Sequence, residues 1–151
     1  MIRMARTEEM DEVRNLFREY QDFLDFDLCF QSFERELADL PGDYALPMGC
    51  LYLALQEQSI VGCIAIRPLK NEVCEMKRLY LRPPARSRGL GRALCTTVID
   101  WAQKVGYKKM KLDTVSKLQS AIQLYRNLGF LPCEQYCENP QPDVEFFELS
   151  L

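Results

Sequence analysis

Residues 86–92 read Arg86-Ser87-Arg88-Gly89-Leu90-Gly91-Arg92, three arginines and two glycines within seven positions. Guanidinium groups beside close-set glycines suit one kind of chemistry, the holding of a phosphate-bearing ligand. A glycine inside a helix costs about 1 kcal/mol relative to alanine. Two of them in one first turn imply a partner that comes too close to the backbone for a Cβ. The run lies where an extended apolar segment, Val73 to Leu81, gives way to a helical pattern, Leu90 to Val105. A helix start offers unpaired N–H groups and the positive end of the dipole, so the expected occupant is an anion. The arginines at 86, 88 and 92 suit a pyrophosphate. The competing reading is a basic, flexible turn on a solvated helix end.

Two other phosphate loops are excluded by spacing. No Lys-Ser or Lys-Thr pair follows the glycines, as a P-loop requires. Leu94 stands where a dinucleotide-binding turn needs its third Gly or Ala. The motif left is R-x-x-G-x-G, at Arg86, Gly89 and Gly91.

The elements that must position this turn follow from hydrophobic period and punctuation. Ile2 to Arg6 reads as a short strand, with Thr7 as the cap of a following helix. Met10, Val13, Leu16, Phe17, Tyr20, Phe23 and Leu24 recur at helical spacing, interrupted by Asp22, Asp25 and Asp27. A second helix is expected over Ser32 to Leu40, stopped by Pro41-Gly42. Cys50 to Gln56 and Ile60 to Arg67 read as a hairpin, and Val73 to Leu81 as the next strand, ended by Pro83-Pro84. Gly106 closes the helix that starts at Gly89. Lys108 to Val115 is a strand, Ser116 a cap for a helix through Leu128, and Phe130 to Tyr136 and Val144 to Leu149 the last strands. The order β-α-α-β-β-β-α-β-α-β-β shows no linker or repeat. It predicts one α/β domain over residues 1–151, a mixed sheet with helices on both faces and a right-handed β-α-β unit from 73 to 115.

Composition narrows the function classes. A chain of 151 residues with 48% apolar and 27% charged content is ordinary for a globular domain. No stretch approaches the length of a membrane span, and the first residues are too charged for a signal peptide. The seven cysteines include Cys63, Cys74 and Cys95 inside apolar patterns. They read as reduced core thiols in a cytoplasmic protein. There is no histidine, which removes Ser-His and Cys-His nucleophiles and leaves no expected metal site. The net charge of −3 divides into −7 over residues 1–48, +9 over 49–133 and −5 over 134–151. The bases concentrate at one turn between acidic flanks, which argues against a nucleic-acid partner.

The glycine turn and its flanks resemble the acetyl-CoA-binding segment of the GCN5-related N-acetyltransferase superfamily. Glu75-Met76-Lys77-Arg78-Leu79-Tyr80-Leu81 followed by Arg86 to Leu94 is similar to the family's main cofactor-binding stretch. A second segment, Ala121-Ile122-Gln123-Leu124-Tyr125-Arg126-Asn127-Leu128-Gly129-Phe130, is similar to its A-x-x-L-Y-x-x-x-G-F ending. The overall pattern resembles a small, single-domain, bacterial-type member. The N-terminal helices match in position only.

The resemblance implies an acetyl-CoA-dependent N-acetyltransferase with the family's splayed parallel strands. The pantetheine arm would pair with main-chain groups of Leu79, Tyr80 and Leu81, a form of strand addition. The pyrophosphate would sit on the amides from Arg86 through Ser87, Arg88, Gly89, Leu90 and Gly91 to Arg92, with Arg88 and Arg92 as further contacts. A main-chain N–H near Leu79 would polarise the thioester carbonyl. Tyr125 is implied as the general acid, since a phenol near pKa 10 stays protonated at neutral pH and can donate to a leaving thiolate. Its competing role is one more apolar position in the stripe Leu118, Ala121, Ile122, Tyr125, Leu128. Glu75 is implied as the general base, through water, against a salt bridge to Lys77, Arg78 or a neighbouring strand.

Period-two alternation would put Glu75, Lys77, Leu79 and Leu81 on one face and Met76, Arg78 and Tyr80 on the other. Asp113 and Tyr136 are candidate substrate contacts. One departure stands out: many family members carry asparagine seven residues before the motif tyrosine, and here that position is Leu118. The expected acceptor is a primary amine on a small molecule or peptide. The acidic blocks, with Asp22, Asp25 and Asp27, point to a cationic one. A homodimer is compatible with the sequence, and no membrane partner is expected. The alternative function is a non-catalytic acetyl-CoA sensor that keeps the turn and gives no turnover.

Overall fold

The computed structural model describes residues 1–25 and 32–151. Its strands are β1 (Ile2–Met4), β2 (Cys50–Gln56), β3 (Ser59–Lys70), β4 (Val73–Leu81), β5 (Lys109–Val115), β6 (Leu131–Pro132) and β7 (Val144–Ser150). Its helices are α1 (Met10–Leu24), α2 (Phe33–Asp39), α3 (Leu90–Val105) and α4 (Gln119–Asn127). The seven strands form one sheet in the order β1-β2-β3-β4-β5-β7-β6. Only β4 and β5 run parallel; every other neighbouring pair is antiparallel. The mixed α/β class and the element order expected from the sequence are those found.

Each face of the sheet buries its own core. Under α3 and α4 lie Ile64, Ile66, Met76, Leu94, Val98, Met110, Ile122 and Phe147. Under α1 and α2 lie Leu16, Phe17, Phe33, Leu37, Leu53, Ala65 and Val115. This division follows the strand period, because successive residues point to opposite faces.

Strand β4 departs from that period, and the departure shapes the site. Two of its residues, Arg78 and Leu79, oppose the single residue Ile64 of β3 between the pairs Ala65↔Lys77 and Cys63↔Tyr80. This is a β-bulge. Arg78 takes a left-handed backbone, φ +63°, which an unbranched residue tolerates at a cost. The bulge is held from both sides. The Cys63 thiol donates to the Arg78 carbonyl at 3.3 Å. The Arg78 guanidinium donates to both Glu36 oxygens at 2.9 Å and lies 5.3 Å from the Phe33 ring centroid.

The bulge overturns the expected alternation. Glu75 and Lys77 face α1 and α2, but beyond Arg78 it is Tyr80 that packs in that core, while Leu79 and Leu81 pack with Met76 beneath α3. One extra residue inverts the parity of everything after it.

Three local expectations also change. Thr7 begins a 3-10 turn, Thr7–Glu9, and makes no side-chain cap bond; the Glu9 carboxylate instead accepts from the Arg6 amide and the Arg3 guanidinium. Arg3 draws the Glu9 carboxyl down to about 2. Helix α4 starts at Gln119 rather than Ser116, because the Ser116 hydroxyl donates to Asp143 at 2.6 Å. The strand expected over Phe130 to Tyr136 is only Leu131–Pro132, since a proline has no N–H to continue the ladder. Asp27 lies outside the described residues.

Candidate active site

Strands β4 and β5 pair only from Val73↔Lys109 to Glu75↔Lys111. Beyond that point β4 bends away at its bulge, while β5 stays paired to β7 through Val115. Each strand is left with an unpaired main-chain edge, and buried edge groups need partners. The gap is open to solvent and is walled by residues 76–79 of β4 and 112–115 of β5. Tyr125 lines it from the core under α3 and α4, and Tyr20, Leu24 and Leu118 from the core under α1 and α2; Asn139 also lines it.

At the gap's outer end the chain makes the glycine turn. Gly89 precedes α3 in a left-handed conformation, φ +79°, and a Cβ built on it would meet nothing within 4 Å. The protein itself therefore leaves room over this turn. Gly91 differs: a Cβ there would touch Leu124 and Leu81 at 3.6 and 3.7 Å, ordinary contact. The main-chain N–H groups from Ser87 to Arg92 have no acceptor among the described residues, and Ser87, Arg88, Gly89 and Arg92 are exposed. Amides without partners at a helix start, with Arg88 and Arg92 beside them, suit a polyanion.

Arg86 departs from the expected set. Its amide donates to the Pro83 carbonyl at 3.2 Å and its Nε to the Leu81 carbonyl at 2.9 Å. Its guanidinium stacks 4.5 Å from the Phe23 ring centroid and 5.7 Å from that of Tyr80. Arg86 thus ties the turn to the end of α1 and has no amide to offer a ligand. Lys117 holds the same helix end from the other wall. Its ammonium donates to the carbonyls of Phe23 and Leu24 at 2.8 and 3.2 Å, where cations complement the helix dipole. Neither clamp was expected from the sequence; both join residues far apart along the chain.

Of the remaining cofactor candidates, Leu79 lines the gap and Leu81 packs beside it beneath α3. The Tyr80 side chain turns to the opposite face, where its hydroxyl donates to Glu19 at 3.5 Å. Only its main chain remains for a ligand in the gap.

The two catalytic candidates have different surroundings. Tyr125 sits on α4, is 7% exposed, and lines the gap. Its ring packs 5.8 Å from Phe130. Burial pushes its hydroxyl well above the usual phenol value. The stripe Ile122, Tyr125 and Phe130 belongs to the core under α3 and α4, so the packing role and the gap-lining position are held by one residue.

Glu75 is fully buried and does not line the gap. Its oxygens accept from Arg67 Nε at 2.8 Å and from the Tyr136 hydroxyl at 2.6 Å. Arg67 is its cross-strand neighbour on β3, eight positions back, and Tyr136 comes from the β6–β7 connection, 61 positions on. The neighbouring-strand salt bridge is thus the geometry found. Burial and the Glu75 charge push the Tyr136 hydroxyl far up, so Tyr136 serves as a donor to Glu75.

The carboxylate that does line the gap is Asp113 of β5. It accepts from Asn139 Nδ2 at 3.1 Å and from the Cys137 thiol at 3.6 Å. Lys77 and Arg78 line the gap from β4. Burial lowers the Lys77 pKa, and the neighbouring Arg78 charge adds to the effect. Asp22 and Asp25 lie on the exposed last turn of α1, outside the gap lining. The charged side chains that line the gap are those of Lys77, Arg78 and Asp113.

Among the described residues no group of three or more His, Cys, Asp or Glu is placed to hold a metal, and no helix is long and apolar enough to cross a membrane.

Comparisons with known proteins agree with this architecture. The family model described as the acetyltransferase (GNAT) family matches residues 10–130. An N-acetyltransferase of Schizosaccharomyces pombe, itself uncharacterized, is 37% identical over 146 residues, which is 95% of this chain and 90% of that protein. A crystal structure of a GNAT-family acetyltransferase from Staphylococcus aureus superposes with a TM-score of 0.83, covering 99% of this chain and 98% of that one at 22% identity. Another, from Elizabethkingia anophelis with acetyl-CoA bound, has a TM-score of 0.60 and 26% identity over 74% of this chain and 82% of that one. With its splayed parallel strands, its partnerless amides above α3 and its tyrosine beneath the gap, the chain belongs to the GNAT family of acetyltransferases.

Proposed function

We propose that residues 1–151 act as one acetyl-CoA-dependent N-acetyltransferase domain whose acceptor is a primary amine. The observation that carries this is the gap between β4 and β5. It offers unpaired strand edges along its length, partnerless amides from Ser87 to Arg92 at its outer end, and Tyr125 within it. Acetyl-CoA has the matching parts in the matching order: a polyanionic end, an amide-bearing arm and a thioester.

Three demands of amine acetylation are met by groups of this chain. The amine loses a proton, the thioester carbonyl is polarised, and the departing thiolate gains a proton. Tyr125 supplies the last. A main-chain N–H at the bulge, near Leu79, polarises the carbonyl. Asp113 takes the amine's proton, directly or through water, because it is the carboxylate lining the gap. Glu75, committed to Arg67 and Tyr136, braces the floor of the acceptor side. The amine nitrogen bonds to the acyl carbon as the carbon–sulfur bond breaks. The first amine proton goes to Asp113, Tyr125 gives its proton to the sulfur, and the second amine proton, lost as the amide forms, restores Tyr125.

The acceptor is drawn in as a cation by the acidic outer surface and loses its charge beside Asp113. The pull of Asp22 and Asp25 is long-range and weakens with salt.

Two measurements test the proposal. Acetyl-CoA at 100 times its dissociation constant adds about 2.7 kcal/mol, so the melting temperature should rise by about 5–10 °C for a chain of this size. No rise, or the same rise with pyrophosphate alone, overturns the cofactor assignment; a rise without CoA release from any of a panel of amines, polyamines, amino acids and peptides favours the sensor. Asp113→Asn should then lower kcat about 10²-fold, and Glu75→Gln should lower it less. The reverse ranking would make Glu75 the base.

A further inference from the structure

The Thr114 hydroxyl is out of place in the protein alone. Thr114 is 7% exposed and lines the gap, yet its Oγ1 has no hydrogen-bond partner among the described residues. Its main chain is not the cause, because β5 stays paired to β7 at Thr114↔Glu145. The alternation of β5 sets Thr114 on the face of Met110 and Leu112, beneath α3 and α4 with Tyr125. A buried hydroxyl without a partner loses its water bonds and gains nothing in return. Valine has the same shape and would fill the position without that cost.

On the side of the gap beneath α3 and α4 the lining hydroxyls are those of Thr114 and Tyr125; Leu118, the residue before α4, lines the gap but packs against the core under α1 and α2. The pantetheine arm of the proposed cosubstrate carries amides and a thioester. The unpaired edges of β4 and β5 can bond such an arm along its length, but main-chain groups recur only at fixed intervals.

We infer that Thr114 is a cosubstrate contact: its hydroxyl completes its hydrogen bonding on a polar atom of the pantetheine arm. The inference rests on the acetyl-CoA reading above. A threonine hydroxyl both donates and accepts, so either an amide N–H or a carbonyl of the arm satisfies it. Entry of the arm between β4 and β5 brings such an atom to an oxygen that water does not reach. The orphan is thus a feature of the unliganded protein, removed on binding.

Thr114→Val separates this role from packing. The unliganded variant should melt at or above the temperature of the parent, because it sheds a buried unsatisfied oxygen and keeps the shape. Its dissociation constant for acetyl-CoA, measured by calorimetry, should rise about 3- to 10-fold, the range of one hydrogen bond. Thr114→Ser should bind acetyl-CoA within about twofold of the parent, since the hydroxyl is retained. A valine variant that binds acetyl-CoA as tightly as the parent, or that melts well below it without ligand, overturns the inference. If the parent itself does not bind acetyl-CoA, the cofactor reading fails first and the inference falls with it. Parental binding with an unaltered valine variant overturns the inference alone.

Discussion

Tyr125→Phe is expected to lower turnover about 10²-fold, with the dissociation constant of acetyl-CoA changed by less than about twofold. The substitution keeps the ring that packs on Phe130 and within the core under α3 and α4, so only the hydroxyl is tested. Burial raises the Tyr125 pKa well above that of an ordinary phenol. On solution values this would make it a poor donor to a thiolate near 8.5. The same dry surroundings act on thiols: the buried Cys95 thiol of this core is pushed up to about 12. A thiolate released beside Tyr125 is made more basic by the same cause, so donor and acceptor rise together. Because its pKa is raised, Tyr125 keeps its proton throughout the neutral range, and no loss of activity from its ionisation is expected below about pH 10. Single-turnover CoA release, followed for parent and variant with one acceptor, checks the effect. Unchanged turnover would leave Tyr125 a packing residue and water the acid.

Arg78→Met should cost about 3–5 kcal/mol of stability, measured by urea denaturation. The Arg78 side chain is 2% exposed and that of Glu36 12%, and their double hydrogen bond joins α2 to the bulge. Removing the guanidinium leaves the carboxylate buried without that partner, which is the costly half of breaking such a pair. It also removes the cation above Phe33 and Phe17. The double variant Arg78→Met with Glu36→Leu should recover most of the loss, because no charge is then stranded. If the single variant is as stable as the parent, the bulge is held by its main chain and by Cys63. Any acetyl transfer measured on the recovered double variant reports how far the bulge depends on the pair.

Much of this molecule is written locally. The glycine turn was legible because Gly89 must take a backbone that other residues avoid, and because charge collects around it. The β-α-β unit was legible because apolar period and Gly106 mark each end. What was hidden is non-local. Arg78 carries no glycine or proline signal, and its left-handed backbone depends on Glu36, 42 positions away. The partners of Glu75 come from β3 and from Tyr136, 61 positions on, so its commitment could not be read from its own strand. The Arg86 stack on Phe23 hides likewise in an arginine that looks like the others of its run. Ser116 had a better partner than the helix, in Asp143. The cores were largely foreseeable by period; it failed at Val61 in β3 as well as at Arg78 in β4, and the second of these is where the site is built.

The bulge in β4 has a consequence for how such a protein can change. Ahead of it, Glu75 and Lys77 face α1 and α2 and Met76 lies beneath α3. Behind it, Leu79 and Leu81 lie beneath α3 and Tyr80 packs in the core under α1 and α2. Immediate neighbours such as Lys77 and Arg78 therefore belong to one compartment, while Lys77 and Leu79, two apart, belong to different ones. A substitution at 75, 77, 78 or 80 therefore disturbs the packing under α1 and α2, and one at 76, 79 or 81 the packing beneath α3. A single strand thus answers to two cores, divided by one inserted residue.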